Sequence, residues 1–131
     1  MFKVEFYTPK GFYKTVDASL LNVYTSDGQR GFLSNHMDEI APLVISRLEV
    51  VNNNEKDYYA ISNGVLYFNN NVAKVVVESI EHKDEIDVER ALAAKTRALN
   101  YLNSHDPNID IKRAKIALNK ALNRINVSNL K

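Results

Sequence analysis

The sequence predicts an α+β chain, an all-β amino-terminal sandwich followed by an antiparallel two-helix hairpin. Two observations carry this expectation. Residues 1 to 80 break into short alternating strands separated by turn residues, with no sustained helical pattern. The last third writes one motif twice at helical periodicity, first Ile86-Asp87-Val88-Glu89-Arg90-Ala91 and then Ile109-Asp110-Ile111-Lys112-Arg113-Ala114. The expected division is residues 1–82 for the sandwich and 83–131 for the hairpin.

Taken in order, Phe2, Val4 and Phe6 alternate with Lys3 and Glu5, the signature of a half-buried strand. Pro9-Lys10-Gly11 turns the chain, strands follow over Phe12 to Val16 and Leu21 to Thr25, and Ser26-Asp27-Gly28 turns it again. The stretch from Gly28 to His36 runs into Ile40-Ala41-Pro42-Leu43. One strand is expected over Leu43 to Val51 and another over Tyr58 to Ser62, around Asn52-Asn53-Asn54. Asn63-Gly64 predicts a two-residue hairpin between Tyr59-Ala60-Ile61 and Val65-Leu66-Tyr67-Phe68. Asn69-Asn70-Asn71 precedes a last strand over Val72 to Glu78. Both asparagine triplets read as loop filling without a role.

The repeat continues past its heads, through Ala94 and Ala117, Ala98 and Ala121, Leu99 and Leu122, and Asn103 and Asn126. Asp87 and Asp110 read as N-caps, since a carboxylate there accepts from the free N–H groups of the first turn. Val88, Ala91, Ala94, Ala98 and Leu102 form one apolar stripe, and Ile111, Ala114, Leu118, Ala121 and Ile125 another. The turn-rich linker from Asn103 to Asn108 is short, so the helices run antiparallel.

Composition narrows the function classes. There is no cysteine, hence no disulfide framework or thiolate chemistry. No apolar run approaches the roughly 18 residues of a membrane span, so no direct membrane insertion is expected, and the amino terminus lacks the pattern of a signal peptide. A net charge of +1 argues against nucleic-acid binding, although the two parts differ. Residues 1 to 82 carry net −3 and residues 83 to 131 net +4. His36, His82 and His105 are scattered without metal-ligand spacing, and no nucleophile elbow, zinc helix or phosphate loop occurs. The chain is expected to be neither a catalyst nor dependent on a cofactor.

The chemical content is basic. Arg90 and Arg97 share one face of the first helix, and Lys120 and Arg124 one face of the second. Four cations brought together repel, and a polyphosphate between them relieves the repulsion. Glu81 and Asp87, at the entrance to the first helix, can accept hydrogen bonds from a base or ribose. On spacing alone the plainer reading is preferred, cations that face water or pair with Glu89 and the acidic loops.

From Glu85 onward, through the I-D-x-x-R-A motif, both helices and the connecting length, the chain resembles the carboxy-terminal hairpin of the epsilon subunit of bacterial F-type ATP synthases. Gly31-Phe32-Leu33-Ser34-Asn35-His36 resembles that family's Gly-rich strand and Leu-Pro-x-His turn, with Ser34 and Asp38 where proline is common. Those replacements imply a less rigid turn. The resemblance implies a sandwich that docks on the rotor through Gly31, Phe32, Leu33 and His36, meeting the gamma subunit and the ring of c subunits. It implies a mobile regulatory hairpin that reaches the alpha/beta catalytic head when extended and restrains ATP hydrolysis. The location implied is peripheral, at the cytoplasmic side of the membrane. Carried over from ATP-binding members, the nucleotide positions are Glu81, Ile86, Asp87, Arg90, Ala91, Arg97, Lys120 and Arg124. Lys120 stands where those members have arginine, keeping the charge without the bidentate fork. The second motif copy has no nucleotide role in the family, and Asp110 reads as a cap alone. A subunit of a specialised rotary ATPase and a free-standing ATP sensor remain alternatives.

Overall fold

The computed structural model describes residues 1–130, which form two compact units, Met1–Glu81 and the segment from His82 onward. The first contains β1 (Phe2–Thr8), β2 (Gly11–Ala18), β3 (Leu20–Thr25), β4 (Gly28–Leu33) and β5 (Glu39–Leu43). It continues with β6 (Ser46–Asn52), β7 (Glu55–Ile61), β8 (Gly64–Asn69), β9 (Val72–Val77) and the short β10 (Ile80–His82). These make two five-stranded sheets, ordered β2-β1-β9-β8-β5 and β10-β7-β6-β3-β4. This is the expected sandwich. Alternate residues fill the space between the sheets, among them Val4 and Phe6 of β1, Leu21 and Val23 of β3, and Leu66 and Phe68 of β8, all essentially inaccessible. Phe6 packs on Tyr59 at 5.0 Å between ring centroids, joining β1 to β7 across the core.

Three local expectations are corrected. The stretch from Leu43 to Val51 is two strands, because the chain leaves the first sheet after Leu43 and enters the second at Ser46. At that crossing the Ser46 hydroxyl donates to the Val44 carbonyl at 2.8 Å. An unbroken apolar run hides such a change of sheet, since both halves bury alternate residues. The strand β10 is too short to show a period.

The second correction concerns Asn63-Gly64, which makes no hairpin, since β7 and β8 belong to different sheets. Ser62 to Gly64 instead crosses from one sheet to the other alongside Val77 to Ser79. Ser62 N–H donates to the Ser79 carbonyl and Glu78 N–H to the Asn63 carbonyl, both at 3.1 Å. Gly64 has no left-handed backbone to supply. A side chain there would place its Cβ 2.1 Å from the Val76 carbonyl oxygen and 2.7 Å from Val77 Cα. Glycine is required by close backbone approach rather than by turn geometry.

The third concerns the asparagine triplets, each of which makes a two-residue hairpin, as do Pro9-Lys10 and Ser26-Asp27. Asn53 and Asn54 (φ 51° and 68°) join β6 to β7, and Asn70 and Asn71 (φ 52° and 60°) join β8 to β9. Two successive left-handed residues give the primed turn whose twist matches the flanking strands, and asparagine tolerates that region best after glycine. The triplets are therefore structural. Asn70→Val should destabilise the sandwich by about 1–2 kcal/mol, the cost of left-handed backbone for a β-branched residue, whereas Asn70→Gly should not. Urea midpoints of the two variants compare these directly.

The second unit holds a 3₁₀ turn at Lys83–Glu85 and the helices α1 (Val88–Asn103) and α2 (Ile111–Ser128). Asp87 accepts from Arg90 N–H and Asp110 from Arg113 N–H, each at 3.1 Å, so both are caps as expected. A capping box forms one turn earlier, where His82 Nδ1 accepts from Asp84 N–H at 3.2 Å and Glu85 Oε1 from His82 N–H at 3.3 Å. The seam between the helices is made of methyl groups, with Ala91 and Ala98 facing Ala114 and Ala121, all buried. Ala94, Leu102, Leu118 and Ile125 are half-buried beside it, while Val88 and Ile111 are exposed.

Candidate functional site

A helix advances about 100° per residue, so Arg90 and Arg97 lie one step back from the seam positions Ala91 and Ala98. Arg113 and Lys120 lie one step back from Ala114 and Ala121, and Arg124 lies on the same flank. In an antiparallel pair, corresponding flanks of the two helices face the same side. All five cations therefore line one side of the hairpin. An open groove of about 550 Å³ runs along this side near the interhelical loop. Ala94, Arg97 and Tyr101 of α1 line it opposite Asp110 at the cap and Arg113 and Ala117 of α2.

Of the positions carried over for ATP, this groove takes in Arg97. Arg90 lies on the same flank toward the open end of the hairpin, exposed, with Lys120 and Arg124 half-buried. Asp87 is exposed and spends one carboxylate oxygen on its cap. Ile86 and Ala91 are buried, so they serve packing. Glu81 is half-buried on β10 in the sandwich unit. Among the described residues the Arg97 and Arg113 side chains have no carboxylate partner. Sequence reasoning gave Arg113 no role. The signal for it was present, because the offset from Arg90 to Arg113 equals the offset from Arg97 to Lys120.

In the sandwich, Gly31 to His36 forms the end of β4 and the turn after it. Phe32 is wholly buried and stacks on Phe68 at 5.7 Å, and the His36 ring sits edge-on to both at 4.7 Å and 5.5 Å. Glu39 accepts from Arg30 and lies 3.2 Å from His36 Nε2. Asn35 adopts φ 64°, and its N–H donates to Asn71 Oδ1 at 2.7 Å. Asn71 Nδ2 in turn donates to the Met1 carbonyl at 3.3 Å. The turn thus lacks proline but is held by the neighbouring β8–β9 hairpin, which supplies rigidity the local sequence does not reveal. Leu33, Met37, Ile40 and Tyr67 are exposed around it and form an apolar surface. Gly31 leaves room for Asn22, whose amide donates to Glu49 at 3.0 Å.

Both units match family models of ATP synthase delta/epsilon chains. Residues 1–83 match the beta-sandwich domain and residues 84–129 the long alpha-helix domain. The chain belongs to the epsilon-subunit family of F-type ATP synthases. It is 39% identical over 102 residues to the ATP synthase epsilon chain of Lactobacillus helveticus, covering 75% of this chain and 70% of that one. The epsilon chain of Pediococcus pentosaceus is 38% identical over 96 residues, covering 72% and 69%. A chain in a structure of the Euglena gracilis mitochondrial ATP synthase, comprising OSCP, F1 and c-ring, superposes with a TM-score of 0.75 at 26% identity. That match covers 88% of this chain and 74% of the other. A chain in the central stalk and c-ring of the Tetrahymena thermophila enzyme shares the fold, with a TM-score of 0.62 at 13% identity over 97% and 96%. An epsilon subunit is a non-catalytic member of its complex. Among the described residues there is no cluster suited to a metal ion and no helix long and apolar enough to cross a membrane.

Proposed function

We propose that the chain is a central-stalk subunit of the rotor, coupling proton translocation to ATP synthesis, and that its hairpin senses ATP and restrains ATP hydrolysis. The sandwich docks through the turn at Gly31, Leu33 and His36 on the gamma subunit and the c-ring, peripherally at the cytoplasmic side of the membrane. Support for docking comes from the apolar surface around Leu33, Met37 and Ile40, held in place by buried Phe32 and by Asn71. The Euglena relative was solved together with F1 and the c-ring, which supports a place within that assembly. The observation that carries the regulatory reading is the single basic flank of the hairpin, with Arg90, Arg97, Lys120 and Arg124 along it. ATP held there, with Asp87 toward its base or ribose and Ile86 and Ala91 packing beneath, favours the compact hairpin by mass action. Falling ATP releases the hairpin toward the acidic surface of the alpha/beta catalytic head.

The test uses the assembled enzyme with the full chain and with residues 86 to 131 deleted. Deletion should raise hydrolysis at low ATP and matter little at high ATP. Arg90→Ala in the full chain should require roughly tenfold more ATP to hold the hairpin compact and relieve the restraint on hydrolysis, the loss of one charge-assisted contact. Equal hydrolysis with and without the hairpin at every ATP concentration rules the regulatory reading out.

A further inference from the structure

We infer that the side-chain amide of Asn71 is the positioning element of the turn after β4, holding its central peptide in one of two orientations and so fixing how Leu33 and His36 meet a partner. The consequence for docking rests on the proposed role of this turn, whereas the conformational part stands without it. His36 N–H donates to the Leu33 carbonyl at 3.2 Å, closing a four-residue turn with Ser34 and Asn35 at its centre. Such a turn has two common forms that differ by rotation of the central peptide, and they place its third residue at negative or at positive φ. Asn35 stands at φ 64°, the second form. Glycine adopts that form freely, while any other residue does so at a cost that a further contact has to offset.

That contact comes from far along the chain. Asn71 Oδ1 accepts from Asn35 N–H, the donor of the central peptide, at 2.7 Å and from Ser34 Oγ at 3.4 Å. Turning the peptide over would point this N–H away and bring the Ser34 carbonyl toward Oδ1, acceptor against acceptor. The other end of the amide is fixed as well, since Nδ2 donates to the Met1 carbonyl at 3.3 Å. An amide that donates on one side and accepts on the other cannot serve when rotated by half a turn, so its oxygen stays aimed at Asn35. The support is stiff, because β8 and β9 pair from Gly64 and Val77 to Asn69 and Val72, immediately before Asn70 and Asn71 close the hairpin. Asn70 and Asn71 share left-handed backbone, at φ 52° and 60°. Position 71 thus has two tasks, the shape of its own hairpin and the hold on Asn35, and glycine there would keep the first and abolish the second.

The full-length chain is compared with Asn70→Gly and Asn71→Gly, both of which keep the left-handed hairpin, by amide hydrogen exchange at Asn35 and by affinity for the purified gamma subunit. Asn71→Gly should speed exchange at Asn35 and weaken gamma binding, each roughly two- to tenfold, the loss of one hydrogen bond. Asn70→Gly should change neither. The nuclear Overhauser contact between Ser34 Hα and the Asn35 amide, strong in the positive-φ form, should weaken in Asn71→Gly alone. Adding Asn35→Gly to Asn71→Gly should restore most of the gamma affinity, because glycine takes the positive-φ form unaided. A residue that acted by touching gamma itself would not be replaced in that way. An Asn35 amide and Overhauser contact unchanged in Asn71→Gly overturn the inference, whatever the binding. Leu33→Asp tests the docking role separately. If it abolishes gamma binding while Asn71→Gly binds like the parent, Asn71 does not position the docking residues. If Leu33→Asp binds like the parent, the docking role of the turn fails, and exchange at Asn35 still decides what Asn71 does.

Discussion

Gly64→Ala is expected to cost several kcal/mol, beyond the roughly 1–3 kcal/mol of ordinary overpacking, and to leave much of the chain unfolded at 37 °C. The added methyl would lie 2.1 Å from the Val76 carbonyl oxygen and 2.7 Å from Val77 Cα, both backbone atoms of the paired strand. Side chains can rotate away from a clash, but β9 cannot move without breaking its pairing with β1 on the far side. Gly31→Ala provides the contrast. Its methyl would meet Asn22 Oδ1 at 3.1 Å, the end of a side chain that can shift. Urea denaturation followed by circular dichroism should show a large loss for Gly64→Ala and a much smaller one for Gly31→Ala. Equal midpoints for Gly64→Ala and the parent chain would refute the close-approach argument.

The second large effect is expected at Phe32. Truncation to alanine should cost about 3–5 kcal/mol, the range for a fully buried aromatic residue. The ring is wholly enclosed and in contact with Phe68 and His36. Its loss also frees the His36 ring, so the turn after β4 loosens together with the core. Phe32→Leu should recover most of the stability by filling the space but not the edge contact to His36. A gamma-binding measurement at a temperature where both variants are folded should rank parent, Phe32→Leu and Phe32→Ala in descending affinity. Unchanged gamma binding in folded Phe32→Ala would show that the turn does not depend on this ring.

The large features of the fold were legible because their signals are local. Alternation in Phe2 to Phe6, caps at Asp87 and Asp110, and alanine at helical spacing each follow from neighbouring residues. What escaped was set by distant backbone. Gly64 resembles a turn glycine until Val76 is placed beside it, and the asparagine triplets resemble filler until two successive left-handed residues are found in each. The turn after β4 looked loose without proline, and the residue that holds it, Asn71, is far along the chain. At the candidate site, spacing placed Arg90 with Arg97 and Lys120 with Arg124. It could not show that the groove opens at the loop end and includes Arg113, because that depends on which helix halves lie side by side.

The alanine seam sets an energy scale for the hairpin. A buried methyl contributes about 0.8 kcal/mol, so four seam alanines contribute only about 3 kcal/mol between them. A ligand present at a hundred times its dissociation constant adds about 2.7 kcal/mol to the form that binds it. The two quantities are of the same order, with Leu102, Leu118, Ile125 and Val127 adding to the first. Larger seam residues would hold the helices together whatever the solution contained, and a polar seam would never close. Under the regulatory reading proposed above, a seam of methyl groups would let the fraction of closed hairpins follow ATP concentration, so that the seam itself would turn a chemical potential into a change of shape.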